Sequence, residues 1–426
     1  MSWTTRTLGD IAIEADGEIR TGPFGSQLHK HDYVEAETAT PVVMPKDMVE
    51  GRIDTSSIAR IDEVTRERLS AHILRPGDIV LGRRGEIGRR AWVSDYESGW
   101  LCGTGSMRIS IRDSQEILPR YLYYFLELPS TVGWLQGHSV GATMSNLSAG
   151  VVQQLPVVYP SADVQQTIVG TLDTLETLIE NNRRRIEILE ETARLLYREW
   201  FVRFRFPGNG VVALVDSELG LIPEGWEVLQ VGEALETVGG GTPSKQVEDY
   251  WLDGEIRWFT PTDLTRAQSV FAFESGSKIT ESGLKRSSAK LFPADSVMMT
   301  SRATIGVVSI ATSVASTNQG FITCVPSERM ASSYIYFWLR ENVDLFLSLA
   351  GGATFKELRK STFRELPILV PPGKQMDEFE EHVGPMMALI KNLLRQNEVL
   401  RTARDLLLPR LVSGKLDISE LEAVGV

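Results

Sequence analysis

Several things are scarce in this 426-residue chain. It has two cysteines, Cys102 and Cys324, one in each half. That excludes a disulfide framework and fits a reducing compartment. No apolar run approaches the roughly 20 residues of a membrane span. The opening MSWTTRTLGDIAIEADGE has neither a basic n-region nor an apolar h-region, so it does not read as a secretion signal. A cytoplasmic location with no membrane partner is expected. There is no N-P-P-[FY] adenine-methylase signature, no glycine-rich cofactor motif and no Walker A with its lysine. GGGTPSK, Gly239 to Lys245, resembles a phosphate loop but lacks the G-K-[ST] ending. His29-x-His31 is half a metal site that no Cys or carboxylate cluster completes, so no metal is expected. These absences fit a non-catalytic protein with no cofactor of its own. The net charge of −12 excludes a uniformly basic nucleic-acid binder. Positive charge is nevertheless dense in GRRGEIGRR, where Arg83, Arg84, Arg89 and Arg90 surround only Glu86.

Hydrophobic content of 42% and charged content of 23% are those of a soluble globular protein. What the chain has in abundance is repetition. Residues 178–200, LIENNRRRIEILEETARLLYREW, recur as 389–411, LIKNLLRQNEVLRTARDLLLPRL. At that offset Leu178, Ile179, Asn181, Arg184, Glu187, Leu189, Leu195 and Leu196 return as Leu389, Ile390, Asn392, Arg395, Glu398, Leu400, Leu406 and Leu407. The repeat extends further. WTTRTLGDI at Trp3 resembles WEVLQVGEA at Trp226, and YLYYFL at Tyr121 resembles YIYFWL at Tyr334. LRPGDIVLGRRGEIG (74–88) matches LFPADSVMMTSRATIG (291–306) with one insertion, pairing Arg84 with Arg302. Gly141-Ala142-Thr143 returns as Gly352-Ala353-Thr354, and Leu155-Pro156 as Leu366-Pro367. A period this long exceeds any solenoid unit and implies two domain-sized halves related by a pseudo-two-fold.

The globular segments read as mixed α/β, with strands at DIVLG, SMRISI and ELPILV and short helices at YLYYFLEL and YIYFWLREN. Strand order is open. The long segments carry heptad stripes. The first is Ile168, Leu172, Leu175, Ile179, Asn182, Ile186, Leu189, Ala193, Leu196 and Trp200. The second is Phe379, Val383, Met386, Ile390, Leu393, Asn397, Leu400, Arg404, Leu407 and Leu411. The stripes should pack on each other, antiparallel by the pseudo-dyad. A buried asparagine costs stability unless partnered and can fix register. Asn182 and Asn397 are therefore expected to meet across the seam. Pro385 predicts a kink, or a helix that begins at Gly384-Pro385. The expected division is 1–160, a first globular domain; 161–207, a long helix; 208–373, a second globular domain; and 374–426, a second long helix and tail. Helices of about 40 residues are about 60 Å long, a rigid spacer with a globular domain at each end.

The order globular–helix–globular–helix resembles the specificity (S) subunit of Type I restriction–modification systems. So do RTGPFGSQLHK, the paired PGDIVLGRRGEIG and SRATIG segments, GATMSNLSAGVVQQLPVVYPSADVQQTIVGTLDTLETLIENN and the ending LLLPRLVSGKLDI. The resemblance covers nearly the whole chain. It implies two target recognition domains, each reading half of a bipartite double-stranded DNA site, with the helices setting the gap. It also implies docking of two methyltransferase subunits that carry S-adenosylmethionine. Two restriction subunits using ATP and Mg can join such a complex. The S subunit itself has no catalytic activity.

Arginine bridges phosphates or reads guanine with two hydrogen bonds. Arg83, Arg84, Arg89, Arg90 and Arg302 are thus the first candidates for DNA contact. The shared pair Arg84 and Arg302 suits phosphate better than bases. Ser26, Gln27, His29 and Lys30 follow the glycine-rich GPFGS turn, and Thr242, Ser244 and Lys245 follow GGG. Thr143, Ser145 and Asn146, opposite Thr354 and Lys356, precede the LP strands. Two other readings compete. One is a scaffold that holds two identical partners and never touches DNA. The other is a serine hydrolase at Gly137-His138-Ser139-Val140-Gly141, which matches a nucleophile elbow. The repeat opposes the latter, because Ser139 falls on Ala350.

Overall fold

The computed structural model describes residues 3–112, 114–141, 146–208, 210, 212–352 and 356–416. The chain divides into two compact units, Met1–Leu178 with Val399–Val426, and Ile179–Glu398. Both are mixed α/β.

In the first unit, β-rich segments broken by Gly, Pro and Asp form two four-stranded sheets. One runs Glu18–Thr21, Ser106–Ser110, Ile79–Gly82, Arg90–Trp92, all antiparallel. The other runs Leu101–Cys102, Thr40–Val43, Ala59–Ile61, Tyr33–Val34 and contains one parallel pair. Thr4–Thr7 pairs separately with Pro156–Tyr159. The second unit has the same order. Glu236–Gly239, Phe321–Val325, Val297–Thr300, Val308–Ala311 form its main sheet, with Phe271–Ala272 added at the edge. Ala315–Thr317, Ile256–Phe259, Ser277–Ile279 form its second sheet, again with one parallel pair. Glu227–Gln230 pairs with Pro367–Val370. The expected strands at DIVLG, SMRISI and ELPILV are all present.

The aromatic helices Pro119–Phe125 and Ser332–Glu341 fill the cores. Their tyrosines are buried with the hydroxyl satisfied, as burial of a polar tip demands. Tyr121 donates to the Val158 carbonyl at 3.0 Å and Tyr334 to the Leu369 carbonyl at 2.6 Å.

The long helices are Ala162–Tyr197 and Gly373–Val412. Within the first unit, Ile168 and Leu172 share a core with Leu408, Leu411 and Val412. Within the second, Ala193 and Tyr197 share a core with Met376, Phe379, Val383 and Met387. In each unit the helices thus meet start against end, antiparallel. Three heptad assignments need correction. Tyr197, Met387 and Leu408 are buried where the stripe names Leu196, Met386 and Leu407, which are half-buried. A straight helix repeats every 3.6 residues, so a strict seven-residue stripe drifts off its face by about 20° per heptad. The second helix also begins at Gly373 rather than at Gly384-Pro385. Pro385 deletes one backbone hydrogen bond inside this helix, between the buried Val383 and Met387.

Candidate nucleic-acid interface

In the second unit the strand Glu236–Gly239 runs out against a neighbouring turn. The approach is so close that a Cβ on Gly240 would lie 2.0 Å from the Asn318 carbonyl oxygen. The Gly241 N–H then donates to the Thr317 carbonyl, and the chain emerges at Thr242. The Thr242 hydroxyl lies 2.7 Å from Gln319 Oε1 and donates to it. Lys245 is exposed beside it, and Trp251 Nε1 ties down the loop through the Ser244 carbonyl at 3.0 Å. Across the face, Thr260-Pro261-Thr262-Asp263 starts a helix. Asp263 accepts from the Thr260 N–H at 2.7 Å and its hydroxyl at 2.8 Å. Two adjoining grooves result. Thr242, Lys245, Trp251, Trp258 and Thr260 line one, and Pro261, Thr262, Thr265 and Arg302 line the other. Asn318 and Gln319 border both.

Arg302 stands on the turn after Val297–Thr300. Its Nε donates to Glu357 Oε1 at 2.8 Å, and the Ala303 N–H donates to the Lys356 carbonyl at 3.0 Å. The exposed Lys356 is thereby brought beside Arg302.

The first unit repeats this construction. A Cβ on Gly22 would lie 1.9 Å from the Gly103 carbonyl oxygen. Met44-Pro45-Lys46-Asp47 forms the matching cap, with Asp47 accepting from the Met44 N–H at 2.9 Å. Arg84 is exposed, and its backbone bridges Asn146 as that of Arg302 bridges Glu357. Its Nε lies 3.5 Å from Asn146 Oδ1. Ser26, Gln27, His29 and Lys30 are all exposed on the loop after Gly22. Gln27 Oε1 accepts from the Phe24 N–H at 3.0 Å. His29 stacks on His31 at 5.2 Å. Thr143, Ser145 and Thr354 lie outside the described residues.

Two of the five arginines are not surface groups. Arg90 is buried, donating to the Tyr123 carbonyl at 2.9 Å, pairing with Glu127 and lying 4.5 Å from the Tyr123 ring centroid. It is an internal strut, because it points inward from its strand. Arg83 is also buried, its Nε donating to the Thr104 carbonyl at 3.3 Å and its Nη1 to the Leu147 carbonyl at 3.4 Å. Burial, then the charge of Arg84, pull its pKa below the usual guanidinium value. Just past the end of the strand Ile79–Gly82, Arg83 is buried and Arg84 is exposed. Arg89 is half-buried, pairs with Glu86 and donates to the Pro45 carbonyl at 3.2 Å. Of the cluster, Arg84 is the cation left facing solvent.

Asn182 and Asn397, both buried, meet in the second unit. Asn182 Nδ2 donates to Asn397 Oδ1 at 3.0 Å, and Asn397 Nδ2 to the Ile179 carbonyl at 3.2 Å.

The competing chemistry has no geometric basis. GHSVG follows the helix Pro129–Gly137, whereas a nucleophile elbow joins a strand to a helix. The Ser139 hydroxyl donates to the Gln136 carbonyl at 2.7 Å, and His138 stacks on Trp134 at 3.9 Å. Among the described residues no group of three or more His, Cys, Asp or Glu could hold a metal, and no helix is long and apolar enough to cross a membrane. Cys102 and Cys324 are free and buried, and burial pushes both thiols up to about 12. Sequence reasoning overlooked Lys46, Thr262, Asn318 and Gln319. One signal was available: M-P-K-D at 44–47 and T-P-T-D at 260–263 repeat a helix-start pattern.

A family model described as the Type I restriction modification DNA specificity domain matches residues 2–191 and 223–380. The MjaIX specificity subunit of a Type I restriction enzyme from Methanocaldococcus jannaschii is 34% identical over 187 residues, which span 43% of each chain. The HindI specificity subunit from Haemophilus influenzae is 23% identical over 404 residues, 80% of this chain and 87% of that one. A crystal structure of a Type I restriction–modification S subunit from M. genitalium shares the fold, with a TM-score of 0.59 at 14% identity over 96% of both chains.

Proposed function

The chain belongs to the Type I restriction–modification DNA specificity family and is a non-catalytic DNA-specificity subunit, and from this we propose how its parts divide the work. Each unit reads one half of a bipartite double-stranded DNA site with the face that carries Arg84 or Arg302. The long helices, of 36 and 40 residues, set the gap between the half-sites. Methyltransferase subunits, two in number, dock on the helices and bring S-adenosylmethionine. Two restriction subunits with ATP and Mg join the complex, and the assembly works in the cytoplasm.

The observation that carries this reading is the duplication of one face on one frame. Both units place an exposed arginine, a close glycine contact and an x-P-x-D cap around the same sheet ends. A shared task such as phosphate contact accounts for that likeness, since phosphate contacts position a protein without reading sequence. Docking of like partners is supported by repeated apolar residues that stay exposed. Leu178 and Leu389 are 45% and 46% exposed, and Leu195 and Leu406 are 48% and 57% exposed. Isolated exposed leucines are ordinary, but recurrence at the same offset is not expected of chance.

One heptad inserted after Arg185, with its counterpart after Gln396, tests the spacer. It lengthens each helix by about 10 Å. The gap in the methylated site should grow by roughly three base pairs while both half-sites stay the same. An unchanged gap in an active complex rejects this role.

A further inference from the structure

The two units share a frame, so places where that frame carries different side chains are informative. Strand register sets Thr21 opposite Met107 in the first unit and Gly239 opposite Ile322 in the second. Counting outward, Gly22 corresponds to Gly240, Phe24 to Thr242 and Thr104 to Gln319. The correspondence holds in detail. The Arg83 N–H donates to the Gly105 carbonyl at 3.0 Å, and the Ser301 N–H to the Gly320 carbonyl at 2.7 Å.

At this place the units part company. The first has the exposed ring of Phe24, 5.6 Å from the Arg83 guanidinium. The second has a hydroxyl–amide pair, Thr242 donating to Gln319 at 2.7 Å. Gln319 is exposed and borders both grooves, with Lys245 lining one and Arg302 the other. Cations on either side suit the phosphates of a duplex, and a base edge then falls between them, at Gln319. An amide offers an acceptor beside a donor. In the major groove, adenine offers the complement: the N7 acceptor beside the N6 amino donor. With Thr242 occupying one lone pair, Gln319 keeps its other lone pair and both Nε2 hydrogens.

We infer that Gln319 is the adenine-reading residue of the second unit's half-site and that Thr242 is a positioning residue that holds its amide. The inference rests on the proposed function above and assigns a base contact that the family relationship does not supply.

The test uses the full chain assembled with its methyltransferase subunits, acting on a random-sequence DNA library. Methylated products are sequenced. The second unit's half-site is identified as the one that survives replacement of residues 1–160. Gln319→Ala should relax one adenine position in that half-site by roughly 10- to 100-fold, with all other positions unchanged. Gln319→Glu, which preserves shape and accepts from cytosine N4, should move the preference there from adenine to cytosine. Thr242→Ala should relax the same position more weakly, and Thr242→Ser should restore it. An unchanged motif for both Gln319 variants, or a change confined to the other half-site, overturns the assignment while leaving the bipartite reading intact. A wild-type complex with no bipartite motif would instead overturn the proposed function, and this inference with it.

Discussion

The two units agree in backbone and differ in what that backbone presents. Both bring a strand end against a turn through a glycine, and both start a helix with x-P-x-D. Where Phe24, Lys46 and Thr104 stand in the first unit, Thr242, Thr262 and Gln319 stand in the second. The contrast separates positions held by the frame from positions free to vary. Positions that hold backbone against backbone repeat, because no other side chain fits there. Apart from the shared arginines Arg84 and Arg302, positions that face the grooves diverge, because nothing in the fold constrains them.

The strongest way to break the likeness is at its tightest contact. Gly22→Ala and Gly240→Ala each drive a Cβ to about 2 Å from a carbonyl oxygen, so the backbone must move. Each should cost more than about 3 kcal/mol in chemical denaturation. The two costs should be similar; a large cost in one unit and none in the other would deny that the frames are equivalent.

A smaller effect separates buried arginines from exposed ones. Arg90→Ala leaves Glu127 without its partner in a largely buried site. It should lower stability by about 2–3 kcal/mol. Arg302→Ala should leave stability nearly unchanged. It should lower the slope of log affinity against log salt by about 0.9, as one phosphate contact is lost. Arg84→Ala should do the same in the first unit, and equal slopes for wild type and variant would remove the arginine from the interface.

The asparagine pair comes next. Asn182→Ala leaves the buried Asn397 Oδ1 without its donor and should cost about 1–3 kcal/mol. Asn182→Leu with Asn397→Leu should be close to neutral by the same measure, because both polar groups leave together. A double variant as unstable as the single one would mean the pair does more than satisfy itself.

The smallest effect lies in the turn that carries Arg302. Ala303 adopts the left-handed region at φ 59°, where the first unit has Gly85 at φ 73°. Ala303→Gly should stabilise the second unit by up to about 1 kcal/mol, since left-handed backbone strains an L-residue. A loss of stability would show that the alanine methyl contributes packing that outweighs the strain.

Much of this architecture was legible in the sequence. The repeat offset, the aromatic helices and the asparagine pair follow from periodicity alone, because helical spacing turns sequence distance into a face. Strand order was not legible, since pairing between distant short strands leaves no local trace. The arginine cluster was legible as charge but not as role. Arg83 lies just past the end of one strand and Arg90 at the start of the next, and only the tertiary fold shows that both are buried and find carbonyl acceptors. Gln319 was invisible because a lone glutamine in T-N-Q-G has no pattern. It gains meaning from Thr242, which lies far from it in the chain.

If the two units are separate readers on one frame, exchanging one must leave the other's half-site untouched. Replacing residues 1–160 by the corresponding segment of a family member with a different site, then mapping methylated bases on genomic DNA, separates the two readers. One half-site should change while the other half-site and the gap stay as in wild type. A change in both half-sites, or in neither, would contradict it.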